Sequence, residues 1–181
     1  ALHQEQQLRE AELLVDNVAR QLQYAMQAGQ ASTELLLAES GTANDSNFAR
    51  FAPAILNDAG LFDFVATARQ LSHSEREEYE LEQAIVLREY RAGSLAPASN
   101  RPNYFALELQ YPEDSRSLPS HLELGSQAGS AAALKQVRQS GQPAIALLKA
   151  RNASRLVAYF ASRARQSNQL VLLGFNTERL L

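Results

Sequence analysis

The side chains best suited to proton transfer or metal binding are His3, His73, His121 and the acidic run EREEYELE, Glu75 to Glu82. A metal site needs several His, Asp or Glu ligands at defined spacing, and acid–base catalysis needs two groups aimed at one point. None of the three histidines has a second His or a carboxylate at metal-ligand spacing. His73 follows a helix cap, close to Glu75 and Glu77, and reads as an exposed first-turn residue. The carboxylates of EREEYELE succeed one another along one helix and read as a solvated face. Cysteine is absent, which excludes a thiol nucleophile, a disulfide and a thiolate metal site. There is no G-x-S-x-G elbow, phosphate loop or dinucleotide fingerprint. The stretch LGSQAGS, Leu124 to Ser130, offers an anion site at a helix N-terminus, and equally an ordinary loop-to-helix transition. No catalytic residue, metal ligand or cofactor is expected.

Composition narrows the function classes further. A hydrophobic fraction of 45% and a charged fraction of 20% are those of an ordinary globular protein. The formal net charge of −3, without a basic stripe, argues against a nucleic-acid partner. No apolar run reaches the roughly 20 residues that span a bilayer, and no signal peptide is visible. The chain opens inside a helical pattern and closes on GFNTERLL as another helix begins, so both ends are expected to continue into flanking transmembrane helices.

The elements follow from periodicity and turn chemistry. Leu2 to Glu39 is one long helical pattern of roughly 57 Å at 1.5 Å per residue. Leu8, Ala11, Val15, Val18 and Leu22 alternate steps of three and four, a heptad seam that weakens where Gly29 and Ser32 fall on it. Two arrangements fit: a parallel homodimer through Leu8, Val15, Val18 and Leu22, or a helix lying on its own domain. SGTAND is a turn in which Gly41 ends the first helix and Asn44 or Asp45 starts a second, running to about Gly60 with Pro53 in its first turn or at a kink. A strand at Leu61–Leu71 with one mostly apolar face leads to a Ser72/Glu75 capping box and a helix ending near Gln83. IVLREYRAG reads as a strand, SLAPASNRPN as a loop, and NYFALELQYP as a strand with Phe105, Leu107, Leu109 and Tyr111 on one face. A helix from Ala128 is closed by Gly141. Three strands follow, Pro143–Ala150, Arg155–Arg163 and Gln169–Phe175, joined by the hairpin-length segments RNAS and RQSN. The expected class is α+β, an antiparallel sheet of about five strands with helices on one face, hung on a long helix. Residues 1–60 would hold the two N-terminal helices and residues 61–181 the α+β body.

In this order the segments resemble the CHASE domain, the extracytoplasmic sensory module of transmembrane histidine kinases and cyclic-nucleotide enzymes. FARF (Phe48 to Phe51) is similar to the family's Phe-x-x-Phe helix, and LFDFVA to its aromatic-rich strand. EREEYE resembles its Arg-x-x-Phe/Tyr-Glu helix, and YFALELQYP its Tyr-Phe-Pro strand, with Ala106 in place of the Pro and Tyr111 in place of a Glu. HLELGS resembles the Gly-Tyr-Asp-Leu-x-Ser turn, with Glu123 at the Asp position, and ALKQVRQSG the helix before the last strands. The last third departs most, with IALLKA and ASR at the positions of the family's LTSPF-like strand and PVY ending. Where plant cytokinin receptors of the family carry a ligand-contacting Thr, this chain has Ala146.

The resemblance implies a PAS-like sheet whose helix Ala128–Ser140 covers one side of a pocket. Phe105, Leu107, Glu123, Leu134, Ala146 and Tyr159 are the pocket candidates, and core packing is the alternative reading of each. It further implies a periplasmic domain of a transmembrane receptor that senses a small molecule and signals to a cytoplasmic histidine kinase or cyclic-di-GMP enzyme. A purely structural dimerisation module is the alternative.

Overall fold

A computed structural model describes residues 1–38, 43–58, 60–149 and 153–180. Helix α1 spans Leu2–Leu36, α2 Asp45–Asn57 and α3 His73–Gln83. Strands β1 (Phe62–Ser72), β2 (Arg88–Arg91), β3 (Ser94–Pro97) and β4 (Asn103–Tyr111) precede α4 (Ala128–Ser140). Strands β5 (Ala144–Lys149), β6 (Ser154–Phe160) and β7 (Gln169–Phe175) and the short helix α5 (Thr177–Leu180) complete the chain. Five strands form one antiparallel sheet in the order β4-β1-β7-β6-β5, and β2 and β3 form a separate two-stranded sheet. The fold is α+β, with a long N-terminal helix and a sheet of five antiparallel strands.

Local chemistry sets the boundaries. Asn44 Oδ1 accepts the Asn47 amide at 2.9 Å and starts α2. Ser72 and Glu75 form the reciprocal capping box of α3, which satisfies amides that a helix start leaves without partners. Gly141, at φ 69°, closes α4 in the left-handed conformation that glycine adopts without a Cβ clash. Pro53 lies in the third turn of α2, not its first. Glu39, Gly41, and Arg151 and Asn152 of the RNAS turn lie outside the described residues.

Each sheet face carries its own hydrophobic cluster. Phe64, Ala66 and Ala68 of β1, Leu170 and Leu172 of β7 and the alternate residues Ala144, Ala146 and Leu148 of β5 pack with Ala133, Leu134 and Val137 of α4. Val65, Val171, Leu173 and Phe175 point the other way, toward Ala25 and Leu36 of α1 and Phe48, Ala52 and Ile55 of α2. Helices therefore cover both faces, not one. The reason lies in β1, β6 and β7, which are buried almost along their length and so show little of the alternation that marks a one-sided sheet.

Two more expectations are corrected. Ser94–Pro97 is a strand, not a loop. Ala92 and Gly93, both at positive φ (51° and 83°), make a two-residue turn that folds it back on β2 in register Arg91↔Ser94. Leu109 does not share a face with Leu107: two residues of β4 oppose Thr67, and this bulge turns Leu109 toward the α2 side. The Thr67 hydroxyl accepts the Leu109 amide at 3.2 Å.

Candidate ligand-binding site

Glu123 is the polar centre of the α4 side of the sheet. It is 1% exposed. Its Oε2 accepts the amides of Phe105 and Gly125, both at 2.8 Å, and its Oε1 accepts Arg101 Nη1 at 2.7 Å. Backbone bonds from Leu107 to Leu122 and from Glu123 to Arg88 wedge this segment between β4 and the β2–β3 hairpin. Burial raises the Glu123 pKa, and the two amides and Arg101 offset that only in part. Arg101 also reaches Glu89 Oε2 at 2.8 Å. Burial pushes Glu89 upward too, but Ser99, Arg101 and Arg91 outweigh it and hold the carboxyl at about 2. One guanidinium thus joins two buried carboxylates in opposite electrostatic situations. The carboxylate at Glu123 also occupies the Gly125 amide of LGSQAGS, a donor that an anion at this helix start would need.

The fold brings the six pocket candidates to this one side. Leu107, Leu134, Ala146 and Tyr159 belong to a single cluster, Phe105 packs against it, and Glu123 holds the Phe105 amide. Leu134 and Tyr159 have no exposed surface. The Tyr159 hydroxyl meets Ser130 of α4 at 2.5 Å, and burial raises the tyrosine's pKa. The two hydroxyls bond each other and the Glu123 carboxylate is held by Arg101 and two backbone amides, inside walls that pack against one another.

The dimerisation candidates separate into two groups. Leu8 and Val15 are 64% and 65% exposed, on the part of α1 that leaves the body, and Val18 is half-buried. Leu22 packs at the margin of the cluster that includes Phe160 and Leu173. The seam's weak position, Gly29, is buried where α1 crosses the sheet. A methyl there would lie 2.8 Å from Phe160 Cε1 and nearer still to its Cζ.

His73, Glu75 and Glu80 have structural partners. His73 Nδ1 lies 2.8 Å from the Tyr104 hydroxyl, which also accepts the Arg101 amide at 3.1 Å. In the acidic run, Glu75 caps α3, and Glu80 binds Arg76 and the Leu87 amide. Glu77, Glu78 and Glu82 are exposed. Among the described residues no group of three or more His, Cys, Asp or Glu is placed to hold a metal ion, and no helix is long and apolar enough to cross a membrane.

Sequence reasoning missed two features. The Glu89–Arg101–Glu123 bridge joins residues far apart in the chain and has no local signature. The other is a hollow of about 480 Å³ between the end of α4 and the β6–β7 loop, bordered by Arg138, Arg163 and Arg165. Its signal was present: Leu134, Val137, Arg138 and Gly141 follow helical spacing, which places an arginine beside the inward stripe.

The molecule is an α+β domain whose sheet is clad by helices on both faces and encloses a polar centre. The family model for the CHASE domain matches residues 42–172. The chain belongs to the CHASE domain family, whose members are extracytoplasmic sensory domains of membrane proteins and not catalytic units. The comparison with curated proteins gives no match.

Proposed function

We propose that this chain is the periplasmic sensory part of a transmembrane receptor. It binds a small molecule on the α4 side of the sheet and signals through α1 to a cytoplasmic histidine kinase or cyclic-di-GMP enzyme. The carrying observation is the division of α1. Ala25, Gly29, Thr33 and Leu36 are buried on the sheet, whereas Leu8, Leu13, Leu14 and Val15 of the same helix are exposed. A rigid rod with one half fixed to the body and an exposed apolar stripe on the other half suits a relay between paired receptors. Helix α5 touches α1, and Arg179 shares a hollow with Arg20 and Tyr24, so the last helix lies beside the rod. The protein's sequence upstream of Ala1 is expected to carry an apolar run of about 20 residues.

A thermal-shift screen of small metabolites tests the sensing step, because a ligand that binds only the folded state raises its stability by mass action. A compound that raises the Tm of the wild type, and raises it less in Tyr159→Phe, supports the reading. A domain indifferent to every compound supports a structural dimerisation module instead. That second reading is favoured by the close packing of Leu134 and Tyr159, which have no exposed surface.

A further inference from the structure

The hollow between α4 and the β6–β7 loop is rich in arginine. Arg138, Arg163 and Arg165 border it together with Ser162, Gln166 and Asn168, and no carboxylate lines it among the described residues. Arg138 is half-buried, and its guanidinium makes one hydrogen bond, from Nη1 to the Ser167 carbonyl at 2.7 Å. Its Nε and Nη2 are sealed from solvent without an acceptor. These two atoms form the edge of a guanidinium that pairs bidentately with an oxyanion. An uncompensated buried cation is costly, and burial with no counter-charge lowers the pKa of this arginine. The C-terminal end of α4 carries about half a negative charge, and the Glu34 carboxylate that reaches this loop is engaged by the Arg163 and Ala164 amides and the Ser162 hydroxyl.

The same loop is fastened to α1. Glu34 Oε1 accepts the Arg163 amide at 2.5 Å, and its Oε2 accepts the Ser162 hydroxyl at 2.8 Å and the Ala164 amide at 3.4 Å. Gln30 Nε2 donates to the Ala161 carbonyl at 2.8 Å. Burial works against the Glu34 carboxylate, but the hydrogen bonds from Arg163, Ser162, Gln30 and Ala164 win and hold its pKa low. These bonds connect residues 161–164 directly to the half of α1 that lies on the sheet.

We propose that this hollow binds a small oxyanion, a carboxylate or a phosphate, on the Nε–Nη2 edge of Arg138 with Arg163 and Arg165 at its rim. Binding draws the β6–β7 loop away from the Ser167–Arg138 bond and so exposes that edge. The inference rests on the sensory reading above, because it makes the loop a route from an effector to α1.

The test uses the 181-residue chain with sodium phosphate and sodium malonate as probes, at constant ionic strength maintained with sodium chloride. Calorimetric titration and thermal shift are run on wild type and on Arg138→Met, which keeps much of the aliphatic stem. Wild type is expected to bind at least one probe, and Arg138→Met to bind it at least about tenfold more weakly. The variant's own Tm in chloride should equal or exceed that of wild type, which separates lost binding from lost folding. Whichever probe binds identifies the source as phosphate or carboxylate. Equal binding by both proteins, or no binding of either probe to wild type, would overturn the proposal. Arg138-dependent binding with unchanged amide exchange along residues 25–36 keeps the subsite and counts against the relay.

Discussion

Arg101 stands between two carboxylates, Glu89 and Glu123, that are 4% and 1% exposed. Removing it would leave Glu123 buried without its cation and Glu89 with Arg91 alone. Arg101→Met is expected to cost about 3–5 kcal/mol in urea unfolding at neutral pH, and a loss below about 1 kcal/mol would show that Arg91, Ser99 and the backbone amides satisfy the acids without it. The pH dependence has a definite sign. The Glu89 carboxyl is lowered from its ordinary 4.5 to about 2, so its stabilisation is present above pH 4.5 and is lost as the pH falls toward 2. Glu123 is shifted upward and acts oppositely, its contribution declining as the pH rises through its folded-state pKa. Wild type is therefore expected to lose more stability than Glu89→Gln between pH 5 and pH 3, as read from urea midpoints. Parallel losses in the two proteins would assign acid sensitivity to other carboxylates.

The helices α1 and α4 are held by opposite devices, one by absence of a side chain and one by presence. Gly29→Ala gains roughly 1 kcal/mol of helix propensity, yet its methyl would collide with Phe160, which is fully buried. Overpacking of that kind costs about 1–3 kcal/mol, so the variant is expected to melt lower than wild type. A higher Tm would mean that α1 rides off the sheet at this point. On α4, Leu134→Asp places a carboxylate among Leu107, Val157 and Leu172 and should cost several kcal/mol, roughly 2–5. An unchanged melting temperature would contradict the packing of α4 on the sheet. These two helices also show what could be read from the chain alone. The limits of α4 were legible because Gly141 ends it through a local backbone preference. The closeness of α1 to β6 was not, because Gly29 looks like a flaw in a heptad until Phe160, 131 residues away, is placed against it. Likewise the four pocket candidates on strands, Phe105, Leu107, Ala146 and Tyr159, fell on one side because strand alternation is local, whereas Leu109 left its predicted face through a bulge set by the partner strand. Helical spacing set Arg138 beside the inward stripe of α4, but the loop after β6 that completes the basic hollow has no such local signal.

At the scale of the whole molecule, the account turns on the exposed half of α1. Leu22 touches the domain's own core, so the free part of the seam is Leu8, Val15 and the half-buried Val18. Each Leu or Val buried against a partner contributes roughly 1.5–3 kcal/mol, and association costs at least about 4 kcal/mol in lost translation and rotation. The excised chain should therefore pair weakly, and tethering in one membrane would raise the effective concentration and stabilise the pair. A register shift of the paired helices, driven through Glu34 and the β6–β7 loop, would then carry the signal. Sedimentation equilibrium over a wide concentration range tests this most directly, on wild type and on the double variant Leu8→Glu with Val15→Glu. The expected result is a wild-type mass that rises from monomer toward dimer with concentration, and a variant that stays monomeric at an unchanged melting temperature. A wild type that remains strictly monomeric at millimolar concentration, or a variant that dimerises equally well, would contradict the account.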